Sequence, residues 1–135
     1  MIVIRRMVIQ DYSCVKELWN SCDLSDEPED QFDEISSFLN SPQSAGFVAF
    51  EKRKIVGAVL CGSDGRYGYI YHLAVADAER KKGIGIRLVK SCSNFLERQH
   101  IIIMVRKNNE AGNKFWSQLQ FQNEDGLKIK YFRKI

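Results

Sequence analysis

The sequence predicts an α/β fold in which helices cover both faces of one sheet. Amphipathic segments, with apolar residues three and four positions apart, alternate with short apolar segments typical of strands. In the middle of the chain a strand, a helix and an apolar strand follow one another, which favours a right-handed crossover between parallel strands. The 135 residues suit one domain with a single core, and we expect the domain to span 1–135.

The first half of the chain predicts a strand, two helices and a hairpin. The strand covers residues 2–7, and Asp11 is a candidate N-cap for the helix that follows. The second helix contains the apolar residues between 32 and 39, which again recur at helical spacing. The segments 47–50 and 55–60 then form a hairpin across a basic turn.

The second half predicts three more strands and two helices. An Asp-Gly turn is a strong hairpin signal and leads into a strand. The wholly apolar segment after the third helix predicts a fully buried strand. In chain order the elements are the turn Ser63–Arg66, strand 68–75, a helix after Gly85, strand 101–105, a helix that begins near Asn109, and a final strand over 127–132.

Charge is separated along the chain, although the net charge is only +3. Residues 11–42 contain nine acids and one base, a net charge of −8, and the other residues contain 19 bases and 8 acids, a net charge of +11. We therefore expect one surface that favours a cation and another that favours an anion. The bases are scattered over many elements rather than along one helix, so we do not expect a nucleic-acid partner.

Apolar runs such as 101–105 are too short to cross a bilayer, and the N-terminus lacks the pattern of a signal peptide. The four cysteines form no C-x-x-C pair and have no histidine at metal-ligand spacing. We expect buried free thiols in a cytoplasmic protein that binds neither a metal nor a membrane.

A basic glycine turn, Arg80-Lys81-Lys82-Gly83-Ile84-Gly85, stands between the predicted strand 68–75 and an amphipathic helix. Gly83 and Gly85 let the backbone approach a ligand, and the helix offers unpaired N–H groups at its first turn. This pattern is typical of a phosphate site, although a tight turn alone would also explain the glycines. A dinucleotide motif needs a third glycine near position 88, where this sequence has Leu88. A P-loop needs Gly-Lys-Ser or Gly-Lys-Thr after the turn, where this sequence has Gly85-Ile86-Arg87, so neither motif is present.

Two blocks of the sequence resemble the GNAT superfamily of N-acetyltransferases. The basic turn preceded by 73–75 is similar to the acetyl-CoA signature, and 109–121 is similar to a later N-x-A-x-x-x-F-Y-x-x-x-G-F segment. The resemblance covers nearly the whole chain. It implies a single-domain GNAT fold, with a mixed sheet of six to seven strands and about four helices on both faces. Residues 18–24 and 62–65 look like a small bacterial subgroup typified by YpeA.

The resemblance implies that acetyl-CoA is the co-substrate. In the family, amides of the turn bind the pyrophosphate, and main-chain groups of the preceding strand bind the pantetheine arm and polarise the thioester carbonyl. The residues implied here are Leu73, Ala74, Val75, Arg80, Lys81, Lys82, Gly83, Ile84, Gly85, Ile86, Asn109, Phe115 and Trp116. For each lysine, a solvated basic turn stays open as the alternative.

The Glu that often serves the family as base in the strand before Leu73 is absent, and His72, Asp64 and Tyr71 are the catalytic candidates. Histidine, with a pKa near 6.5, suits a base at neutral pH, whereas a tyrosine with a pKa of about 10 does not. Strand alternation predicts that Tyr71 and Leu73 share one face and that His72 lies on the other. A structural role for His72 and turn chemistry for Asp64 stay open.

Two departures from the family pattern lie in the second block. Trp116 replaces the tyrosine that usually serves as general acid, and an indole N–H cannot usefully give up its proton. Gln120 replaces a glycine, a change that we expect to affect only the turn after the helix.

The function implied is transfer of the acetyl group of acetyl-CoA to a primary amine, by direct attack in a ternary complex. The alternative is a module that binds CoA with little or no catalysis, as Trp116 and the missing Glu would allow. Because the family builds part of its acceptor site from the segment between the first two helices, the acidic residues 23–33 suggest a cationic amine. A solvated acidic surface is the other explanation. We expect a monomer or a homodimer.

Overall fold

The computed structural model describes residues 1–24 and 27–134, and its chain divides into two compact units, Met1–Ile103 and Met104–Ile135. The first unit contains a five-stranded sheet and three α-helices. Its elements are β1 (Val3–Arg6), α1 (Tyr12–Ser21), α2 (Phe32–Asn40), β2 (Ser44–Glu51), β3 (Lys54–Ser63), β4 (Gly68–Val75), α3 (Ile84–Leu96) and β5 (Ile101–Ile103). The second unit contains the helix α4 (Glu110–Gln118).

The strands lie side by side in chain order, β1-β2-β3-β4-β5. The first four pair antiparallel, as short connections allow, whereas β4 and β5 pair parallel and are joined through α3. This mixed pattern confirms the predicted strand–helix–strand unit in the middle of the chain.

Helices of the first unit cover both faces of the sheet, as predicted. On one face, α1 and α2 close a core that contains Trp19, Ile35, Val48 and Leu60. On the other face α3 packs so tightly on β3 that a Cβ atom at Gly57 would lie 3.0 Å from Ile84 Cγ2. Because alternate residues of β2 and β3 point to opposite faces, both strands are buried on both sides.

A bulge interrupts β4. Ala58 pairs with Ala74 and Leu60 pairs with Tyr71, so Val59 alone stands opposite both His72 and Leu73. His72 has a φ of 50°, in the left-handed region that non-glycine residues rarely adopt. The extra residue shifts the strand alternation by one position within β4.

Two predictions about strands are wrong. The described residues form five strands instead of six or seven. Residues 127–132, which alternate in sequence and were predicted as the final strand, form no strand. The apolar side chains of this segment are 70–91% exposed, so they make none of the side-chain packing that stabilises a strand in a sheet. The predicted strand 101–105 ends at Ile103 and is not fully buried, because β5 is an edge strand and leaves Ile102 40% exposed.

Asp11 occupies the N-cap position of α1, but its side chain does not cap that helix. Its carboxylate accepts two hydrogen bonds from the Arg5 guanidinium, at 2.8 and 3.0 Å, and one from the Val8 N–H at 2.9 Å. The bonds from Arg5 hold the pKa of Asp11 below its ordinary value. The carboxylate therefore ties β1 to the start of α1.

All four cysteines are free. Cys61 and Cys92 are buried as predicted, whereas Cys14 is exposed and Cys22 is half-buried. Within residues 1–24 and 27–134, no helix has the length and apolar character needed to span a bilayer, and no group of His, Cys, Asp or Glu is arranged to hold a metal ion.

Candidate functional site

The predicted phosphate turn opens α3. Gly83 is the N-cap residue, with a φ of 80°, and no atom lies within 4 Å of the position that its Cβ would occupy. The backbone conformation, rather than crowding, thus requires glycine here. The first intrahelical bond runs from the Arg87 N–H to the Gly83 carbonyl, so the earlier N–H groups of the first turn have no helical acceptor. They can bind an anion.

The three basic residues of the turn differ in their contacts. The Arg80 guanidinium pairs with Asp77 at 3.1 Å, and the Lys82 ammonium pairs with Glu79 at 2.6 Å and has a raised pKa for that reason. Lys81 is exposed and forms no ion pair within the described ranges. Its φ of 66° adds a second left-handed residue to the turn. These acidic partners were not recognised from the sequence.

The structure brings the end of β4 next to this turn. Arg80 Nε donates to the Val75 carbonyl over 3.2 Å, and Cys22 Sγ lies 3.6 Å from the same oxygen. The Ala76 N–H bonds to Val56 on β3, so the main chain of Val75 faces the opposite edge of β4. Parallel pairing with β5 stops at Ile70, and the described residues supply no strand beside the rest of that edge. We call this stretch the open edge of β4, because no strand of the described residues pairs with it.

His72 lies on the α1–α2 side of the sheet, because the bulge overrides simple alternation. Its Nε2 is 2.8 Å from Asp30 Oδ1, and its ring packs edge-on against Trp19 with centroids 5.0 Å apart. Tyr71 faces the same side and packs edge-on against Phe38 of α2. The predicted separation of His72 and Tyr71 onto opposite faces is thus wrong.

Asp30 was predicted only as one acid of the acidic segment, and its contact with His72 was not predicted. It lies in a 3₁₀ turn, Pro28–Asp30, and is 4% exposed although it belongs to the acidic segment. The Tyr12 hydroxyl donates to its main-chain carbonyl at 2.8 Å, and the Glu27 N–H donates to its carboxylate at 3.4 Å. The proline that starts the turn is the only local signal of this geometry.

Asp64 and Tyr71 have environments that limit their use as bases. Asp64 accepts hydrogen bonds at 2.8 Å from the N–H groups of Tyr67 and Arg66, which lower its pKa, as expected for an aspartate that closes a turn. Burial raises the pKa of Tyr71, so its phenol keeps its proton at neutral pH. Tyr71 can therefore donate a hydrogen bond but not accept a proton.

Three of the predicted site residues, Asn109, Phe115 and Trp116, lie in the second unit. Asn109 begins α4, as predicted, and its Oδ1 caps the helix by accepting from the Gly112 N–H at 2.9 Å. Trp116 packs edge-on against Phe115 and Phe121, with centroid distances of 5.1 and 5.0 Å. Gln120 follows the helix with a φ of 72°, a conformation that suits the glycine it replaces.

The acidic segment is mixed in character. Asp23, Glu29 and Asp33 are exposed, whereas Asp30 is buried against His72. Asp26, which was counted with them, lies outside the described residues. The segment thus combines an exposed acidic surface with one buried carboxylate.

Comparisons with known proteins agree with this geometry. The sequence model of the Acetyltransferase (GNAT) family matches residues 12–121. An acetyltransferase of Pectobacterium atrosepticum is 31% identical over 122 residues, which cover 88% of this chain and 86% of that protein. The structure is similar to aminoglycoside acetyltransferase AAC(6')-Iy in complex with a CoA bisubstrate analogue, with a TM-score of 0.82, 13% identity, and coverage of 100% of this chain and 99% of that one. It is also similar to a predicted acetyltransferase of Clostridium acetobutylicum with acetyl-CoA, with a TM-score of 0.79, 16% identity and 96% coverage of both chains.

Proposed function

This chain belongs to the GNAT acetyltransferase family, and on that basis we propose that it transfers the acetyl group of acetyl-CoA to a primary amine by direct attack in a ternary complex. The observation that carries the proposal is the Gly83 turn. Its left-handed cap opens the first turn of α3 toward an anion, directly after the open edge of β4. A pyrophosphate and an extended pantetheine arm need these two neighbouring features.

The residues of the site fit acetyl-CoA. Main-chain N–H groups of Ile84, Gly85 and Ile86 would bind the pyrophosphate, and Lys81 would add a charge that no acidic side chain in the described residues neutralises. Arg80 and Lys82 would contribute less, because acids already pair with them. The β4 edge at Leu73, Ala74 and Val75 would hold the pantetheine arm. For Asn109, Phe115 and Trp116, which lie in the second unit, we propose a role in cofactor binding on the family resemblance alone.

Acetyl-CoA supplies a thioester carbonyl that an amine can attack. The new bond joins the amine nitrogen to the carbonyl carbon, the carbon–sulfur bond breaks, and the amine loses one proton. We assign that proton to His72, which lies between the acidic segment and Leu73. Tyr71 serves as a hydrogen-bond donor, and Asp64 maintains the turn before β4. Because Trp116 gives up no proton, the thiol leaves as thiolate, which a pKa near 8.5 permits.

The acceptor that we propose is cationic, since exposed acids line the segment between α1 and α2. We further propose that the enzyme works in the cytoplasm as one domain over 1–135, as a monomer or homodimer, and that it is related to the YpeA-like subgroup. Replacing Asp23, Glu29 and Asp33 by their amides should raise the KM for a polyamine acceptor at low salt. An unchanged KM would show that this surface is merely solvated.

Turnover decides between the enzyme and the CoA-binding module. Purified protein is mixed with acetyl-CoA and a panel of polyamines, aminoglycosides and lysine peptides, and thiol release is recorded alongside acetyl-CoA affinity. Release that depends on an amine supports the proposal. Binding of acetyl-CoA without release on any amine would favour the module.

A further inference from the structure

We propose that Asp30 is a positioning residue that selects one tautomer of His72, so that His72 Nδ1 receives the proton of the acceptor amine. This inference rests on the proposed function, since it assigns a base to that reaction. Asp30 belongs to the segment between the first two helices, and His72 to the bulge of β4. The pair thus connects the acceptor side of the site to the strand beside the thioester.

The geometry determines which nitrogen is available. His72 Nε2 and Asp30 Oδ1 are 2.8 Å apart, and an ionised carboxylate can only accept a hydrogen bond. A neutral imidazole in this contact therefore carries its proton on Nε2 and its lone pair on Nδ1. The Nδ1 atom has no hydrogen-bond partner within 1–24 and 27–134, and the side chain is one-quarter exposed. A substrate amine can reach such an atom.

Several contacts hold the pair in this arrangement. The carboxylate of Asp30 is 6% exposed, and Tyr12 and Glu27 fix its backbone and its second oxygen. The indole of Trp19 packs against the imidazole from α1. His72 keeps a left-handed φ of 50°, a conformation that proteins retain mainly where the surroundings impose it. Together these contacts leave His72 little freedom to rotate.

The test compares the wild type with Asp30→Asn, using protein labelled with ¹⁵N-histidine. The wild-type NMR spectrum should show His72 protonated at Nε2. In Asp30→Asn the amide can donate to Nε2, so the spectrum should shift toward the Nδ1–H tautomer, and kcat for the best amine found in the panel should fall about 10²- to 10⁴-fold. The wild-type spectrum needs no variant and stays informative if Asp30→Asn folds poorly.

The pH profile separates catalysis from structure. Among residues 1–24 and 27–134, the charged or titratable groups around His72 are Asp30 beside it, Tyr12 on the Asp30 carbonyl, Tyr71 on the same strand, and Cys22 with Arg80 at Val75. The dependence of kcat on pH that the wild type shows should disappear in His72→Ala and in Asp30→Asn, but persist in Cys22→Ser. His100→Gln, which changes the other histidine of the chain, should alter neither the profile nor the His72 signal.

Each outcome has one meaning. An Nδ1–H tautomer in the wild type, or an Asp30→Asn protein with unchanged tautomer, kcat and pH profile, would overturn the positioning role. A tautomer shift in Asp30→Asn with no loss of kcat would show that His72 is not the base. If the wild type acetylates no amine, the proposed function fails, and the spectra then report only a structural pair.

Discussion

Replacing Gly57 by alanine tests whether the contact between β3 and α3 sets the shape of the phosphate turn. The new Cβ would lie 3.0 Å from Ile84 Cγ2 and 3.1 Å from Leu88 Cδ1, where methyl groups normally stay about 3.5–4.0 Å apart. Both neighbours are fully buried, at 1% and 0% exposure, so neither can turn away without displacing others. Ile84 is the first residue of α3, so any relief of the overlap moves the helix end that carries the turn.

The magnitude follows from the two opposing effects of the methyl group. Overpacking of this kind costs about 1–3 kcal/mol, and the lower entropy of the unfolded chain returns about 0.4–1 kcal/mol. The net loss of unfolding free energy should be about 1–2 kcal/mol, which for a chain of this size lowers Tm by about 3–10 °C. Displacement of the first turn of α3 should also weaken acetyl-CoA binding about tenfold, the loss expected if one hydrogen bond to a charged group, worth about 1.5 kcal/mol, is broken.

Gly46→Ala is the matched control. Its Cβ would lie 3.0 Å from Met7 Cβ and 3.2 Å from Leu39 Cδ2, so it overpacks the opposite face of the sheet to a similar extent without touching α3. Thermal unfolding and calorimetric titration with acetyl-CoA are measured for both variants. We expect both to lose stability and only Gly57→Ala to lose affinity. Unchanged stability and affinity in Gly57→Ala, or an equal loss of affinity in Gly46→Ala, would refute the reasoning.

Three further predictions concern single side chains. Asp11→Asn should lower the unfolding free energy by about 1–2 kcal/mol at neutral pH, a value reduced because Arg5 is 40% exposed. Since the pKa of Asp11 is lowered in the folded state, the wild-type advantage in urea unfolding should be full above about pH 4 and decline progressively as the pH falls below it, and an advantage that does not shrink in acid would contradict this. Gln120→Gly should raise the free energy of unfolding by up to about 1 kcal/mol, and with it Tm, because it removes a left-handed non-glycine residue. A lower Tm would show that the glutamine side chain contributes contacts. Lys81→Ala should raise the KM for acetyl-CoA about two- to fivefold at low salt, and more than Lys82→Ala does, because Glu79 already pairs with Lys82. The difference between the two variants should shrink in high salt. Equal effects at low salt would mean that the Lys82–Glu79 pair is open in solution.

Most of the fold follows from local pattern. The helical spacing in α1, α2 and α3 and the strand 68–75 were predicted within a few residues, because burial of one face or both imposes the same periodicity on sequence and structure. The final strand was not, because alternation in 127–132 indicates that a strand is possible but cannot supply a partner for it. Partner choice is a tertiary property.

The site shows the same limit more sharply. Local residues determine the Gly83 turn, so its sequence was sufficient to locate it. The orientation of His72 depends on one extra residue in β4 relative to β3, which no two-residue pattern contains. Asp30 lies 42 residues before His72 in the chain, so their contact depends on how α1 packs on the sheet. The bases of the turn could be counted, but their pairing with Asp77 and Glu79 depends on loop geometry.

The bulge divides β4 into two segments whose side-chain alternation differs in phase by one residue. Before His72, the alternating side chains of β4 are in phase with β3 and complete the core; from Leu73 onward the phase is reversed, and Ala74 returns to the core. Removing a single residue at the bulge would leave one residue opposite Val59 and keep Ala74 opposite Ala58, so the residues that follow would keep their faces. The extra residue thus serves the placement of His72 rather than the core, and a one-residue deletion there is expected to cost more activity than stability.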